Sequence, residues 1–153
     1  MKLKNNKFFN RGFTLFELLL VVAAFATIAL IVGPFSSSSV IRSNLDVASR
    51  NVESSLHRAY TYARSGENNS DWGVHITSTD VIVFSGSTYS GRDADLDEDA
   101  KIASSVTLGG LSDVIFMQKT GTPTNDSIGE ITLESDQVTK HININGAGAV
   151  TVN

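Results

Sequence analysis

Residues 11–30 read RGFTLFELLLVVAAFATIAL: an arginine and a glycine, then an apolar run interrupted by one acid, Glu17. Carried on to residue 35, the run is FTLFELLLVVAAFATIALIVGPF, with Glu17 its only charge. At about 1.5 Å per helical residue it is long enough to cross a hydrocarbon core of about 30 Å. A secretory signal peptide has a basic start, an apolar centre of about 7–15 residues and a small-residue cut behind it. Here the apolar run is longer and no such cut follows it. A plain membrane anchor fits the length, and the flank of Lys2, Lys4, Lys7 and Arg11 would then lie on the cytoplasmic side. Neither reading explains Glu17. A carboxylate at membrane depth costs on the order of 2.5–3.5 kcal/mol on insertion scales, so it calls for a partner.

The bulk composition bounds the rest. A chain of 153 residues with 41% hydrophobic content is sized for one packed domain plus an appendage. Beyond Gly66, Arg92, Lys101, Lys119 and Lys140 face thirteen Asp and Glu, which disfavours nucleic acid as a partner because phosphate binding needs clustered cations. Cysteine is absent, which excludes disulfides, thiolate metal sites and a cysteine nucleophile.

The stretch RGFTLFELLLV resembles the processing site of type IV prepilins and pseudopilins: a short basic leader, Gly12 before the cut, an apolar Phe13 after it, and an acid four residues further on. The resemblance implies that a prepilin peptidase cleaves between Gly12 and Phe13 and N-methylates the new Phe13 amine. It also implies that the apolar helix is retained and becomes the core of a filament. Glu17 would then meet the α-amino group of Phe13 on an adjacent subunit. Each charge neutralises the other where either alone is penalised. Gly33 and Pro34 interrupt the run, since proline lacks a donor and crowds the carbonyl four residues back. They mark either a helix kink, as pilins often carry at this distance, or the end of the membrane span.

After the serines at 36–39, apolar residues recur at Val40, Ile41, Leu45, Ala48, Val52, Leu56, Ala59, Tyr60 and Ala63. These steps of three and four predict an amphipathic helix, with Gly66 as its C-cap. The remainder reads as strands. WGVHIT and DVIVFSG predict a hairpin, followed by KIASSVTL, DVIFMQK, GEITLES, VTKHININ and GAVTV. The expected fold is α+β: a long N-terminal α-helix, apolar then amphipathic, packed on a largely antiparallel β-sheet head, pilin-like by the resemblance. The segments are a cleaved basic leader (1–12), a transmembrane or filament-core helix (13–35), an amphipathic helix on the head (36–66) and the β-rich head (67–153). The head is most similar to the secretion-pathway protein H and type IV fimbrial minor pilin T group. Some members of that group bind DNA through arginines near the last strand, whereas NGAGAVTVN here has none.

GRDADLDEDAK is the one candidate ion site. Asp93, Asp95 and Asp97 have the alternation of the first half of a calcium loop, but Glu98 stands where glycine is required and Ser104 where a glutamate closes the site. A solvated acidic loop is the alternative. His57, His75 and His141 lack zinc-ligand spacing, no serine sits in a G-x-S-x-G elbow, and the aromatics Tyr60, Tyr62, Trp72 and Tyr89 read as core. The expectation is therefore a non-enzymatic structural subunit, without a cofactor unless calcium occupies that loop. Its partners would be copies of itself or other pilins, the prepilin peptidase, an inner-membrane assembly platform, and membrane lipid before assembly. Its precursor would sit in the inner membrane with the head outside, then move to an extracellular or periplasmic filament. The alternative is a single-pass anchored binding domain that never polymerises.

Overall fold

The computed structural model describes residues 13–32, 35–136 and 138–153. It separates into two compact units, Met1–Ser38 and Ser39–Asn153. The first contains helix α1 (Leu15–Val32). Thr14 precedes it and caps it: its Oγ1 accepts a hydrogen bond from the Glu17 amide at 3.2 Å, satisfying one of the donors that a helix start leaves open. Leucine, alanine and an acid in the first turn suit the helix and its dipole.

The second unit is built on helix α2 (Phe35–Ser65) from Ser39 onward and on eight strands. Leu45, Ala48, Val52, Leu56, Ala59 and Ala63 are buried and form the stripe that the three-and-four spacing predicts. The helix stops where Gly66 takes a left-handed conformation (φ 72°) and its amide bonds the Ala63 carbonyl at 3.0 Å. The Lys119 amide caps the same carbonyl at 2.7 Å.

The strands are β1 (Trp72–Ile76), β2 (Asp80–Ser85), β3 (Asp93–Lys101), β4 (Thr107–Gly110), β5 (Asp113–Phe116), β6 (Gly129–Ser135), β7 (Val138–Ile144) and β8 (Val150–Val152). They form two four-stranded sheets in the orders β3-β2-β1-β5 and β4-β6-β7-β8. Every pairing is antiparallel. The head expected as one sheet is thus two. The β1–β2 hairpin sets Val74 against Val83, and β6 sets Ile131 against Ile142 in β7. Alternate residues Val74, Val81, Val83, Val114 and Phe116 of the first sheet and Ile131, Leu133, Ile142 and Ile144 of the second join the α2 stripe in one core, as strand alternation requires. A second apolar centre lies on the other face of the first sheet, where Phe84, fully buried, stacks edge-on to Tyr89 at 5.5 Å. Gly73 opposite it is obligatory in size, since a Cβ there would meet the Phe84 ring at 2.5 Å.

Two further expectations are corrected. KIASSVTL is not one strand: β3 ends at Lys101, a turn bonds Val106 N to Ala103 O at 2.9 Å, and β4 begins at Thr107. Ile102 and Val106 are buried, so the apolar residues of this stretch enter the core from a turn. The acidic segment containing Asp93, Asp95 and Asp97 is not a loop but the edge strand β3.

Candidate functional site

Residues 13–28, which open with Phe13 and include most of α1, are exposed. Large apolar side chains lie all round the helix: Phe13 is 84% exposed, Leu15 78%, Phe16 73% and Phe25 69%, with Leu18, Leu19, Leu20, Val21, Val22 and Ile28 also open. A helix apolar on every side is stable only when surrounded by lipid or protein. Fully burying these ten side chains would contribute about 15–30 kcal/mol, an upper range at about 1.5–3 kcal/mol each. That outweighs the cost of about 2.5–3.5 kcal/mol for one carboxylate at membrane depth. The hydroxyl of Thr27 is satisfied within the helix, donating to the Ala24 carbonyl at 2.8 Å, and so imposes little further cost in an apolar medium. No helix among the described residues is long and apolar enough to cross a membrane. Taken alone, the 18 residues of α1 extend about 27 Å, short of a hydrocarbon core of about 30 Å.

Glu17 lies in the first turn of α1, four residues after Phe13. Thr14 is a residue that the sequence reading passed over; the pattern T-x-x-E, in which the first residue caps the helix and the acid sits at its third position, is the signal that would have found it. Glu17 therefore has a local contribution, at the positive end of the helix dipole, besides any contact with another chain. Gly12, Gly33 and Pro34 lie outside the described residues.

In the head the charged side chains form local networks. Glu98 of β3 accepts from Arg58 Nη1 at 2.5 Å and from Tyr62 Oη at 2.9 Å, both on α2. This bond to Glu98, aided by burial, raises the pKa of the Tyr62 phenol. Arg92 donates through Nε to both oxygens of Asp97 at 3.0 and 2.8 Å, a contact that holds the guanidinium above its ordinary pKa. Its guanidinium carbon lies 3.8 Å from the centre of the Tyr89 ring, and His75 stacks on that ring at 3.7 Å. At such distances the two must occupy opposite faces. His75 Nδ1 is in turn 2.8 Å from Asp113 Oδ1. Lys140 hydrogen-bonds Asp46 and Lys101 hydrogen-bonds Asp80, and each lysine lowers its carboxylate's pKa.

A cavity of about 590 Å³ opens beside His75, Thr88, Tyr89, Asp113 and Asp126. Ser87, Ser90 and Ser127 also line it; Ser127 accepts from the Ile115 amide at 2.8 Å and shares a bond with Thr124 at 2.7 Å. Among the described residues no serine is hydrogen-bonded to His75, whose Nδ1 faces Asp113. The three histidines remain apart: His57 is on α2, His75 on β1 and His141 on β7, where it bonds Glu130. Tyr60, Tyr62 and Trp72 pack on the core, whereas Tyr89 belongs to the opposite face of the sheet. Asp93 pairs with Ser85 and Glu98 with Val83 across a register shift, so Asp93 and Asp97 do not share one face of β3, and Asp97 is held by Arg92. Carboxylates divided in this way do not form the converging cage of a calcium loop. Among the described residues no group of three or more His, Asp or Glu is gathered as a metal site.

Comparison with protein-family models, with curated proteins and with solved structures found no match to this chain.

Proposed function

We propose that this chain is a structural subunit of a type IV pilus-like or type II secretion pseudopilus-like filament. A prepilin peptidase cuts after Gly12 and methylates the Phe13 amine. The segment 13–35 first holds the precursor in the inner membrane with the head outside, and then passes into the filament interior. There, copies of the chain or other pilins replace lipid around the helix, with an inner-membrane platform driving the exchange. The chemistry acts on this chain and is not performed by it.

The observation that carries the reading is a helix apolar all round with one carboxylate four residues after Phe13, joined in sequence to a head with its own closed core. The head needs nothing from α1 to bury its apolar residues, so the exposed surface of α1 is free for another environment. Pairing Glu17 with the Phe13 amine of a neighbour sets the stagger between subunits, because an unpaired charge of either sign in the bundle costs several kcal/mol. The test is a comparison of sheared surface or periplasmic fractions from cells with and without an active prepilin peptidase. Fibres containing this chain should appear only with the peptidase. Equal amounts of membrane-bound, unassembled protein in both would favour the non-polymerising anchored domain.

A further inference from the structure

The face of the first sheet turned away from α2 holds a cavity whose chemistry the filament reading does not use. On β1 and β5, Val74 and Val114 enter the core shared with α2, so alternation sends His75, Asp113 and Ile115 to the opposite face. His75 and Asp113 stand directly across from each other in the β1–β5 ladder, and with Ile115 they floor the cavity. One wall is the connection between β2 and β3, and the other is the turn Asn125–Ser127.

Both walls are pinned by the protein itself. Arg92 donates through Nη1 to the Tyr89 carbonyl at 2.9 Å and covers one face of the Tyr89 ring, while His75 covers the other. The Thr88 hydroxyl accepts from the Gly91 amide at 3.2 Å. On the other side, the Thr124 amide donates to the Ile115 carbonyl at 2.9 Å and the Ile115 amide to the Ser127 hydroxyl at 2.8 Å. A site already held in shape loses little binding energy to ordering.

Three polar side chains have no part in this framework. Among the described residues the Ser87 and Ser90 hydroxyls and the Asp126 carboxylate make no hydrogen bond, although all three line the cavity. With the proton of His75 on Nδ1, facing Asp113, Nε2 is left as an acceptor. The volume of about 590 Å³ falls within the range of about 300–1,000 Å³ that holds small-molecule ligands.

These groups select by charge and by hydrogen-bond type. No lysine or arginine lines the cavity, and Arg92 behind Tyr89 is engaged by Asp97, so an anion would meet the carboxylates of Asp113 and Asp126 and be repelled. A wholly apolar ligand would strip water from Asp126 and replace it with nothing. An ammonium group has no acceptor and leaves the serine protons unmatched. Several hydroxyls, each a donor and an acceptor at once, answer all of these groups, on a frame whose C–H side rests on Ile115.

We propose that this cavity binds carbohydrate: a neutral saccharide whose hydroxyls donate to Asp126 and to His75 Nε2 and exchange hydrogen bonds with Ser87 and Ser90. The proposal goes beyond the filament reading and does not depend on it.

The test is histidine-ring NMR on the full chain in a zwitterionic detergent, because a sugar head group would compete for the cavity. The chain has three histidines, and His57 on α2 and His141 on β7 serve as internal controls. Maltose, lactose and N,N′-diacetylchitobiose are each titrated to about 10 mM, ten times a dissociation constant of about 1 mM, with spermidine as the cationic comparison. At least one sugar should move the His75 signals to saturation and leave those of His57 and His141 in place. Asp126→Ala should then weaken that binding about ten-fold, the effect of losing a hydrogen bond to a charged group, and Ser90→Ala about five-fold. Neither side chain supports the fold, so the Trp72 fluorescence melt should be unchanged. Still His75 signals with every sugar would overturn the proposal, and movement with spermidine alone would replace it with a cation site. Sugar binding that survives both substitutions at full strength would also refute it.

Discussion

Replacing Glu17 by glutamine separates the two contributions this residue can make. Within its own helix, Glu17 follows Thr14, whose hydroxyl accepts the Glu17 amide at 3.2 Å. Glutamine keeps the shape and hydrogen-bonding capacity that this capping pattern uses and loses only the interaction of a charge with the helix dipole, about 0.3–1 kcal/mol. Helix α1 should therefore persist. In the fibre the loss is larger. The Phe13 amine of the neighbouring copy keeps its charge without a counter-charge, and breaking a buried pair in this way costs about 3–5 kcal/mol. At about 1.4 kcal/mol per factor of ten, each junction is weakened by roughly 10²–10³-fold or more. Glu17→Gln should be cleaved like the parent chain yet leave little protein in the sheared fibre fraction, measured by immunoblot against total protein. Thr14→Ala removes the cap at a cost of about 1 kcal/mol and should still assemble. A parental fibre yield from Glu17→Gln would refute the reasoning and reduce Glu17 to a helix-starting residue.

Further predictions concern the head and can be followed by the fluorescence of Trp72, the one tryptophan, in the detergent-solubilised full chain. Leu56 is fully buried in the stripe of α2, so Leu56→Ala should destabilise by about 2–5 kcal/mol; a loss below about 1 kcal/mol would contradict the packing. Ser55 is buried and, among the described residues, its hydroxyl has no hydrogen-bond partner, so Ser55→Ala should stabilise by about 1 kcal/mol, and a lower melting temperature would show that the hydroxyl is satisfied. Gly73→Val drives a side chain into the Phe84 ring and should cost about 1–3 kcal/mol or more, seen as a lower melting temperature. Asp46 and Asp80 are held below their ordinary pKa of 3.8 by lysine hydrogen bonds. A depressed folded pKa gives stability that is complete above the unfolded value and is lost as pH falls through the folded one. The melting temperature should therefore begin to fall below about pH 4, and the fall should be smaller in Lys140→Met with Lys101→Met.

How much of this is legible in the sequence depends on how local the deciding interactions are. The stripe Leu45, Ala48, Val52, Leu56, Ala59 and Ala63 and the stop at Gly66 are written in neighbouring residues, and the structure keeps them. The hairpin of β1 and β2 is equally local. Strand β3 is not: its outward positions are aspartates and its inward ones include Glu98, so no apolar alternation betrays it. It becomes a strand because Glu98 finds Arg58 and Tyr62, 40 and 36 residues away, and because β2 offers it a pairing edge. The division into two sheets is likewise set by distant pairings, with β4 passing over β5 to reach β6. Around the candidate site, the apolar run and Glu17 are plain from composition. The cap by Thr14 was readable from T-x-x-E but is eclipsed by the hydrophobicity that surrounds it.

The most direct measurement is the intact mass of the protein recovered from cells that contain an active prepilin peptidase. The proposed function requires a chain that begins at Phe13 and carries one added methyl group on its amine. A chain that still holds Met1 to Gly12, or a free unmethylated start at another residue, would contradict it.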